Sequence, residues 1–518
     1  MQSPRSHIVK PFFRQIPLKQ CAEVLLTLAA LLRLPGLFGE LQYDEIWSRA
    51  AFTGHNIFRI LTDIELPNNH PVNTLVLKFL LNFSDSPAFM RLGVYLAGIA
   101  AAGLCGKIAH QITRSKSAAI AAMLLGATSP AMILYSITAR GYIFQILGLQ
   151  LLVIGLICSV QGSSGRKTLP LMIGGGIIAC LAVSSGIMFL AVIAAGYLLF
   201  APKERRFNRD AVIAAAVLAL FSLSYYLPLY PKLRNAQHWG IDITSAGTWF
   251  EFAFNTLCCH LLPLTAILAL AGVIMFPAMR KLFLLSLLPL LLAIVTHGGQ
   301  ARVYLILTPF FIIIAATGFG ECFKRFEKYR IWLSLLLVAG CIATVLLPPE
   351  VWKLPTPSKD LQAALKNIPK TVLPVLPASA GMPVSINSAA MQKELEIRAA
   401  NHISGILLLN TAPEKLNGAD MSTAEKTIDF PLPGINSPET GGRFYPLTPV
   451  AYPEKIDNWY LIILTGEPPE TLKNWHGEII RLNIWLNKAF KIFVCHGKEL
   501  PPPFLARARY YQFAEVEK

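Results

Sequence analysis

The chain has 518 residues, 54% of them hydrophobic and only 15% charged, with a mean hydropathy of +0.51 and a formal net charge of +16. So apolar a composition excludes an ordinary soluble protein and describes a polytopic membrane protein. The positive charge is gathered in one set of loops and reads as an orientation signal, which calls for no nucleic-acid partner.

Arg5, Lys10, Arg14 and Lys19 precede the first apolar run, and this basic start reads as a retained signal anchor. Runs long enough to cross a bilayer fall near 20–38, 91–112, 118–137, 141–160, 168–184, 187–201, 211–229, 256–276, 282–297, 303–319 and 331–348, about eleven spans. Between 168 and 201, Ser184-Ser185-Gly186 divides one apolar stretch into a short hairpin of two helices. Lys and Arg stay on the cytoplasmic side in short loops. With the amino terminus inside, the inner segments 1–19, 107–117, 162–167, 202–210, 277–281 and 320–330 hold 19 Lys and Arg, whereas the outer loops hold seven. The expected organisation is a cytoplasmic start over 1–19, a transmembrane module over 20–348 and an extracytoplasmic carboxy-terminal domain over 349–518.

In that tail, 358–368 has a Ser start and helical apolar spacing. Residues 459–464 and 490–495 read as strands, 468–487 as a helix opened by Pro468-Pro469, and 411–457 as mostly loop. The fold class is therefore an α-helical polytopic membrane protein with a small α/β domain outside. Of the nine cysteines only Cys495 lies in the tail, too few for a disulfide framework, and no CxxC, HExxH or zinc-ligand spacing occurs.

The outer loop 39–90 carries the most chemistry. It opens with the adjacent carboxylates Asp44 and Glu45, followed by an amphipathic stretch from Asn56 able to lie in the membrane interface. A turn cluster, Leu66-Pro-Asn-Asn-His-Pro71, then leads into a second helix candidate from Val72 to Phe83. A carboxylate at the mouth of a helix bundle can take a proton from an attacking hydroxyl or amine. An arginine there presents a planar fork suited to phosphate oxygens.

Asp44-Glu45 after the first span, His70-Pro71 later in the same loop, and Ala139-Arg140-Gly141-Tyr142 at the next outer turn together resemble the GT-C glycosyltransferases of the protein O-mannosyltransferase and aminoarabinose transferase type. Ala301-Arg302-Val303-Tyr304 followed by Pro309 is similar to an Arg-Tyr-Leu…Pro pattern of that group. The resemblance covers roughly 20–320. It implies a GT-C-like bundle that moves one sugar, with inversion, from a polyprenyl-phosphate donor to a lipid, glycan or protein acceptor at the outer face. It further implies Asp44 as base, Glu45 orienting the acceptor or helping to hold a cation, and Arg140 and Arg302 for the donor phosphate. His70 would contact donor or acceptor, with Tyr142 and Tyr304 beside the arginines.

One departure stands out: several members carry an acidic residue in the outer turn after the third span, and 137–149 contains neither Asp nor Glu. Glu45, Asp63, Glu65 or Asp85 would fill that role, or none is needed, and a divalent cation such as Mg or Mn is left open. Structural alternatives exist for each residue. The acidic pair suits a helix start, the arginines can snorkel to headgroups from span ends, His70 can stabilise its turn, and the tyrosines suit an interface belt. Arg91 and Lys78 fit a headgroup anchor or a donor contact equally well. Other function classes are a lipid-linked glycan polymerase or ligase, sharing substrates and topology, and a transporter, which needs charged groups or broken helices near mid-bilayer. The setting that fits best is a bacterial inner membrane.

Overall fold

In a computed structural model, the described residues are 17–39, 41–64, 69–162, 167–236, 243, 245–296 and 301–353, followed by the strands of the tail. The chain separates into two compact units, Met1–Gly39 with His55–Leu354, and Glu40–Gly54 with Pro355–Lys518.

The first unit is helical. Its elements are α1 (Leu18–Leu37), α3 (Ile57–Thr62), α4 (Pro71–Leu80), α5 (Pro87–Thr113), α6 (Lys116–Thr128), α7 (Pro130–Ser136), α8 (Tyr142–Val160), α9 (Thr168–Ala182), α10 (Gly186–Phe200), α11 (Arg209–Ala236), α12 (Ala246–His260), α13 (Pro263–Met275), α14 (Pro277–Thr296), α15 (Leu307–Arg325) and α16 (Arg330–Leu346). The short α2 (Tyr43–Phe52) belongs to the second unit. Among the described residues seven helices are long and apolar enough to cross a membrane, or nine if each of two bent pairs forms one span. The protein is a multi-pass integral membrane protein.

Helix starts follow local chemistry. Ser86, Ser115, Ser129 and Ser245 each accept a hydrogen bond from a backbone N–H of the first turn, satisfying a donor that has no intrahelical partner. Pro71, Pro87, Pro130 and Pro263 sit at first helical positions, where a missing N–H costs nothing.

Prolines also account for the differences from the expected spans. The run 118–137 breaks at Ser129-Pro130, with α6 and α7 bent by 58°. The run 256–276 breaks before Pro263, with α12 and α13 bent by 98°. The residue before a proline is driven out of the helical region and the proline itself cannot continue the hydrogen-bond ladder, so an apolar run of span length need not be one straight helix. The stretch 168–201 forms two helices parted at Val183–Ser185, α9 and α10, each 15 residues and shorter than the long spans. In place of a span from 303, a turn over Ala301–Tyr304 precedes α15.

The core of the unit gathers on α15, α5, α6 and α8. Every residue of α15 from Leu307 to Gly320 is buried, whereas few residues of α1 and α16 are, as in helices at a lipid boundary. Helices α8 and α9 approach through glycines: a Cβ on Gly148 would stand 2.6 Å from the Gly175 carbonyl, and one on Gly175 2.5 Å from the Gly148 carbonyl.

Two buried arginines close helix ends. Arg33 of α1 donates to the carbonyls of Ala29 and Ala127 at 3.0 Å and of Gly126 at 3.3 Å. The last two belong to the carboxy-terminal turn of α6, which the Pro130 break leaves without intrahelical donors. Arg91 of α5 donates to the carbonyls of Gly36 at 2.7 Å and Gly39 at 2.9 Å, the end of α1. It is fully buried and clamps the end of α1 to the start of α5.

In the second unit, β1 (Leu373–Pro377), β2 (Gly405–Leu409), β3 (Leu447–Val450), β4 (Tyr460–Leu464), β5 (Glu478–Leu486), β6 (Phe490–His496) and β7 (Ala508–Phe513) form one sheet, in the order β3-β7-β2-β1-β4-β6-β5. The central strand β1 runs parallel to β2, with Val375 opposite Leu407, and to β4, with Val375 opposite Ile462; the other pairs are antiparallel. Strands β4 and β6 fall where the sequence places them. The expected helix 468–487 is corrected: Glu478–Leu486 is strand β5. Ile480, Leu482, Ile484 and Leu486 alternate with Arg481, Asn483 and Trp485, a period of two that the helix-forming leucines disguise. Strand β3 interrupts the expected loop 411–457. The helix expected over 358–368, residues 1–16 and the acidic Glu65 lie outside the described residues.

Candidate functional site

Several helix ends of the first unit meet at one end of the bundle. The Asn69 amide donates to the carbonyls of Ile60 at 2.8 Å and Asp63 at 2.5 Å, and its side-chain oxygen accepts from the Thr74 hydroxyl at 3.0 Å. Asn69 thus clamps the end of α3 to the start of α4 and sets the backbone of its neighbour His70. One turn into α4, the Asn73 amide donates to the Ala139 carbonyl at 2.8 Å, fastening the 137–141 turn. The turn approaches so closely that a Cβ on Gly141 would lie 2.0 Å from the Ala182 carbonyl and 2.8 Å from the His70 Cβ, so only glycine fits.

His70, Arg140 and Tyr142 are brought together by these contacts. All three are buried, with His70 2% and Arg140 3% exposed. The His70 and Tyr142 rings meet edge to face at 5.0 Å, and the Arg140 guanidinium lies 5.8 Å from the Tyr142 ring centroid. His70 Nδ1 lies 3.0 Å from the Ala182 carbonyl oxygen. Burial holds the imidazole well below its ordinary pKa, and the charges of Arg140 and Arg302 lower it further against the bond to Ala182. Two guanidiniums from distant points of the sequence thus act on one imidazole.

Arg302, partly exposed, stands in the Ala301–Tyr304 turn before α15, from which its charge is felt at His70. Sequence reasoning missed what holds that turn. His260, at the end of α12, has Nε2 2.9 Å from the Ala301 carbonyl and Nδ1 2.9 Å from the Thr308 hydroxyl. A carbonyl only accepts, so Nε2 donates and Nδ1 accepts from Thr308. The available signal was an ionisable residue inside a span-length apolar run, which by default marks a constrained position. Tyr304 packs edge-on against Phe252 at 5.4 Å, a core contact within the same turn. An aromatic series continues from Tyr142 to Tyr135 at 4.9 Å, Tyr135 to Trp352 at 6.1 Å and Trp352 to His260 at 5.2 Å.

The loops holding most of the Lys and Arg lie at the opposite end, where Gln161 donates to the Gln111 carbonyl at 3.3 Å and Asn208 to the Ser159 carbonyl at 3.1 Å. One end is thus basic and solvated, and the other carries buried arginines among aromatics.

Asp44 and Glu45 stand in the first turn of α2, in the second unit. Glu45 is buried, and its carboxylate accepts from the Gln42 N–H at 2.8 Å in a reciprocal capping box. The carbonyl of half-buried Asp44 accepts from the Ser48 hydroxyl at 2.8 Å. Among the described residues no group of three His, Cys, Asp or Glu side chains is gathered to hold a metal ion.

Fold and site together define a multi-pass membrane protein with a cationic, aromatic-lined cluster at one end of its bundle. The chain is similar to the structure of ArnT from Cupriavidus metallidurans bound to undecaprenyl phosphate, with a TM-score of 0.47 and 11% identity, over 92% of this chain and 98% of that one. The apo form of that protein gives a TM-score of 0.45 at 11% identity over the same shares. An oligosaccharyltransferase from Archaeoglobus fulgidus, in complex with Zn and sulfate, is similar at a TM-score of 0.41 and 12% identity, over 79% of this chain and 70% of that one. No protein-family model and no curated protein sequence matches the chain.

Proposed function

We propose that this chain is a membrane glycosyltransferase that moves a sugar from a polyprenyl-phosphate-linked donor to a lipid, glycan or protein acceptor on the outer face of the membrane. The observation that carries the reading is the buried Arg140 packed with His70 and Tyr142, with the charge of Arg302 also felt at His70. When an acceptor attacks the anomeric carbon, the departing group is a phosphate anion. Two guanidiniums, one buried and one partly exposed, supply the positive charge and the planar donors that such an anion needs.

In this reading Asp44 takes the proton of the attacking hydroxyl or amine. Its support is its chemistry and its place after the first span, in a helix whose start Glu45 already stabilises. Glu45 caps the helix that carries Asp44. Direct displacement by the acceptor inverts the anomeric centre. Retention of Lys and Arg in short cytoplasmic loops supports an orientation with the cluster at the outer face.

The test is mass spectrometry of lipid and glycan pools in cells lacking the chain and in cells carrying Asp44→Asn. Both should accumulate one polyprenyl-phosphate sugar and lose that sugar from an acceptor. Unchanged pools would overturn the proposal.

A further inference from the structure

The same cluster contains an atom that the phosphate chemistry does not use. His70 Nδ1 faces the Ala182 carbonyl at 3.0 Å, and a carbonyl oxygen can only accept. Nδ1 therefore carries the proton. In the neutral ring Nε2 is then a bare lone pair, and it is buried with no hydrogen-bond partner among the described residues. A buried acceptor left unpaired costs about 1–3 kcal/mol, so a site that keeps one has a use for it when filled.

The chemistry of the occupant follows by exclusion. A phosphate oxygen and the Nε2 lone pair repel each other, so Nε2 does not hold the donor phosphate. An ammonium or a metal cation is disfavoured by the two guanidiniums whose charge already reaches the ring. A neutral O–H remains: it donates to Nε2 and adds no charge. Burial and the two arginines keep the ring neutral, which preserves this acceptor and makes His70 a poor proton-taking base.

The geometry points to His70 Nε2 as the acceptor of a hydroxyl hydrogen bond from the donor's sugar, so that His70 selects a glycosylated polyprenyl phosphate over the bare lipid phosphate. This rests on the reading of Arg140 and Arg302 as the phosphate site, and the two fail separately.

The test uses the full chain in detergent micelles. Its probes are decaprenyl phosphate and the glucosyl, mannosyl and arabinosyl esters of that phosphate, with affinities read by native mass spectrometry. The unsubstituted protein should bind at least one ester more tightly than the bare phosphate. His70→Asn keeps an N–H placed to reach Ala182 but is too short to put an acceptor at the Nε2 position. It should lower affinity for that ester by about tenfold, the scale of one neutral hydrogen bond, and leave decaprenyl phosphate within about twofold. His70→Gln carries an amide oxygen out to the Nε2 position and should regain most of the preference. Equal weakening of ester and bare phosphate by His70→Asn would show a role in packing or in the phosphate site. No change in either would mean that Nε2 meets only water, and no preference in the unsubstituted protein would mean that no sugar hydroxyl is read; each of these overturns the inference. If Arg140→Ala leaves decaprenyl phosphate binding intact, the phosphate reading fails, whatever His70 does.

Discussion

Arg140 is 3% exposed, and a charge-assisted hydrogen bond made out of water is worth more than one made by a surface arginine. Arg140→Ala and Arg302→Ala should each weaken binding of a polyprenyl phosphate by roughly 10- to 100-fold, the scale of a charge-assisted hydrogen bond of about 1.5–3 kcal/mol. Lysine at either position should recover only part, because it lacks the planar fork. Acceptor KM should move less than donor KM in steady-state assays; the reverse ratio would count against a phosphate role. Asp44→Asn should lower turnover by about 10²- to 10⁴-fold while donor binding is retained, the range for losing a general base. Unchanged turnover would remove Asp44 from the chemistry. His70 also makes stability depend on pH. Its folded pKa lies well below the ordinary value of 6.5, so the unfolded chain takes up the proton first. Its contribution is complete above the unfolded value and is lost as pH falls from there through the folded pKa. The melting temperature of the detergent-solubilised protein should therefore drop between about pH 7 and pH 5, and His70→Gln should flatten part of the slope.

At the scale of the element, the site depends on how closely the 137–141 turn meets the end of α9. A methyl on Gly141 would collide with the Ala182 carbonyl, a backbone atom that cannot rotate away, whereas a methyl on Gly174 of α9 meets nothing within 4 Å. Gly141→Ala should cost about 1–3 kcal/mol, as overpacking does, and displace both Tyr142 and the Ala182 oxygen that fixes His70. Gly174→Ala should be neutral or slightly stabilising, since alanine is the better helix former. Thermal unfolding of the two variants side by side separates these outcomes. Elements differed in how far the sequence disclosed them. Helices α1, α5, α8 and α14 follow from apolar length alone, because a membrane span has no other way to satisfy its backbone. The two bent pairs required weighing Pro130 and Pro263 against the apolar run around them. Strand β5 was hidden because leucine and tryptophan suit helix and strand alike, so the choice fell to its pairing with β6.

For the whole molecule, the two ends of the bundle carry opposite chemistries, and the basic end is expected to face the cytoplasm. Single cysteines placed by Ser164→Cys and Ser245→Cys, in a protein freed of other reactive thiols, test this with a membrane-impermeant label. In intact cells Ser245→Cys should react and Ser164→Cys should not; the opposite pattern would place the arginine cluster inside.

The sequence by itself determined that this chain crosses a membrane repeatedly and where its longest apolar helices lie. Those properties follow from composition and local period, since the cost of burying polar groups in lipid is set residue by residue. Tertiary structure alone decided that His70, Arg140 and Tyr142 pack together, that Arg33 and Arg91 close helix ends, and that His260 holds the Arg302 turn. A buried arginine can serve a ligand or a carbonyl, and the choice depends on which helix ends the packing brings within about 3 Å of it.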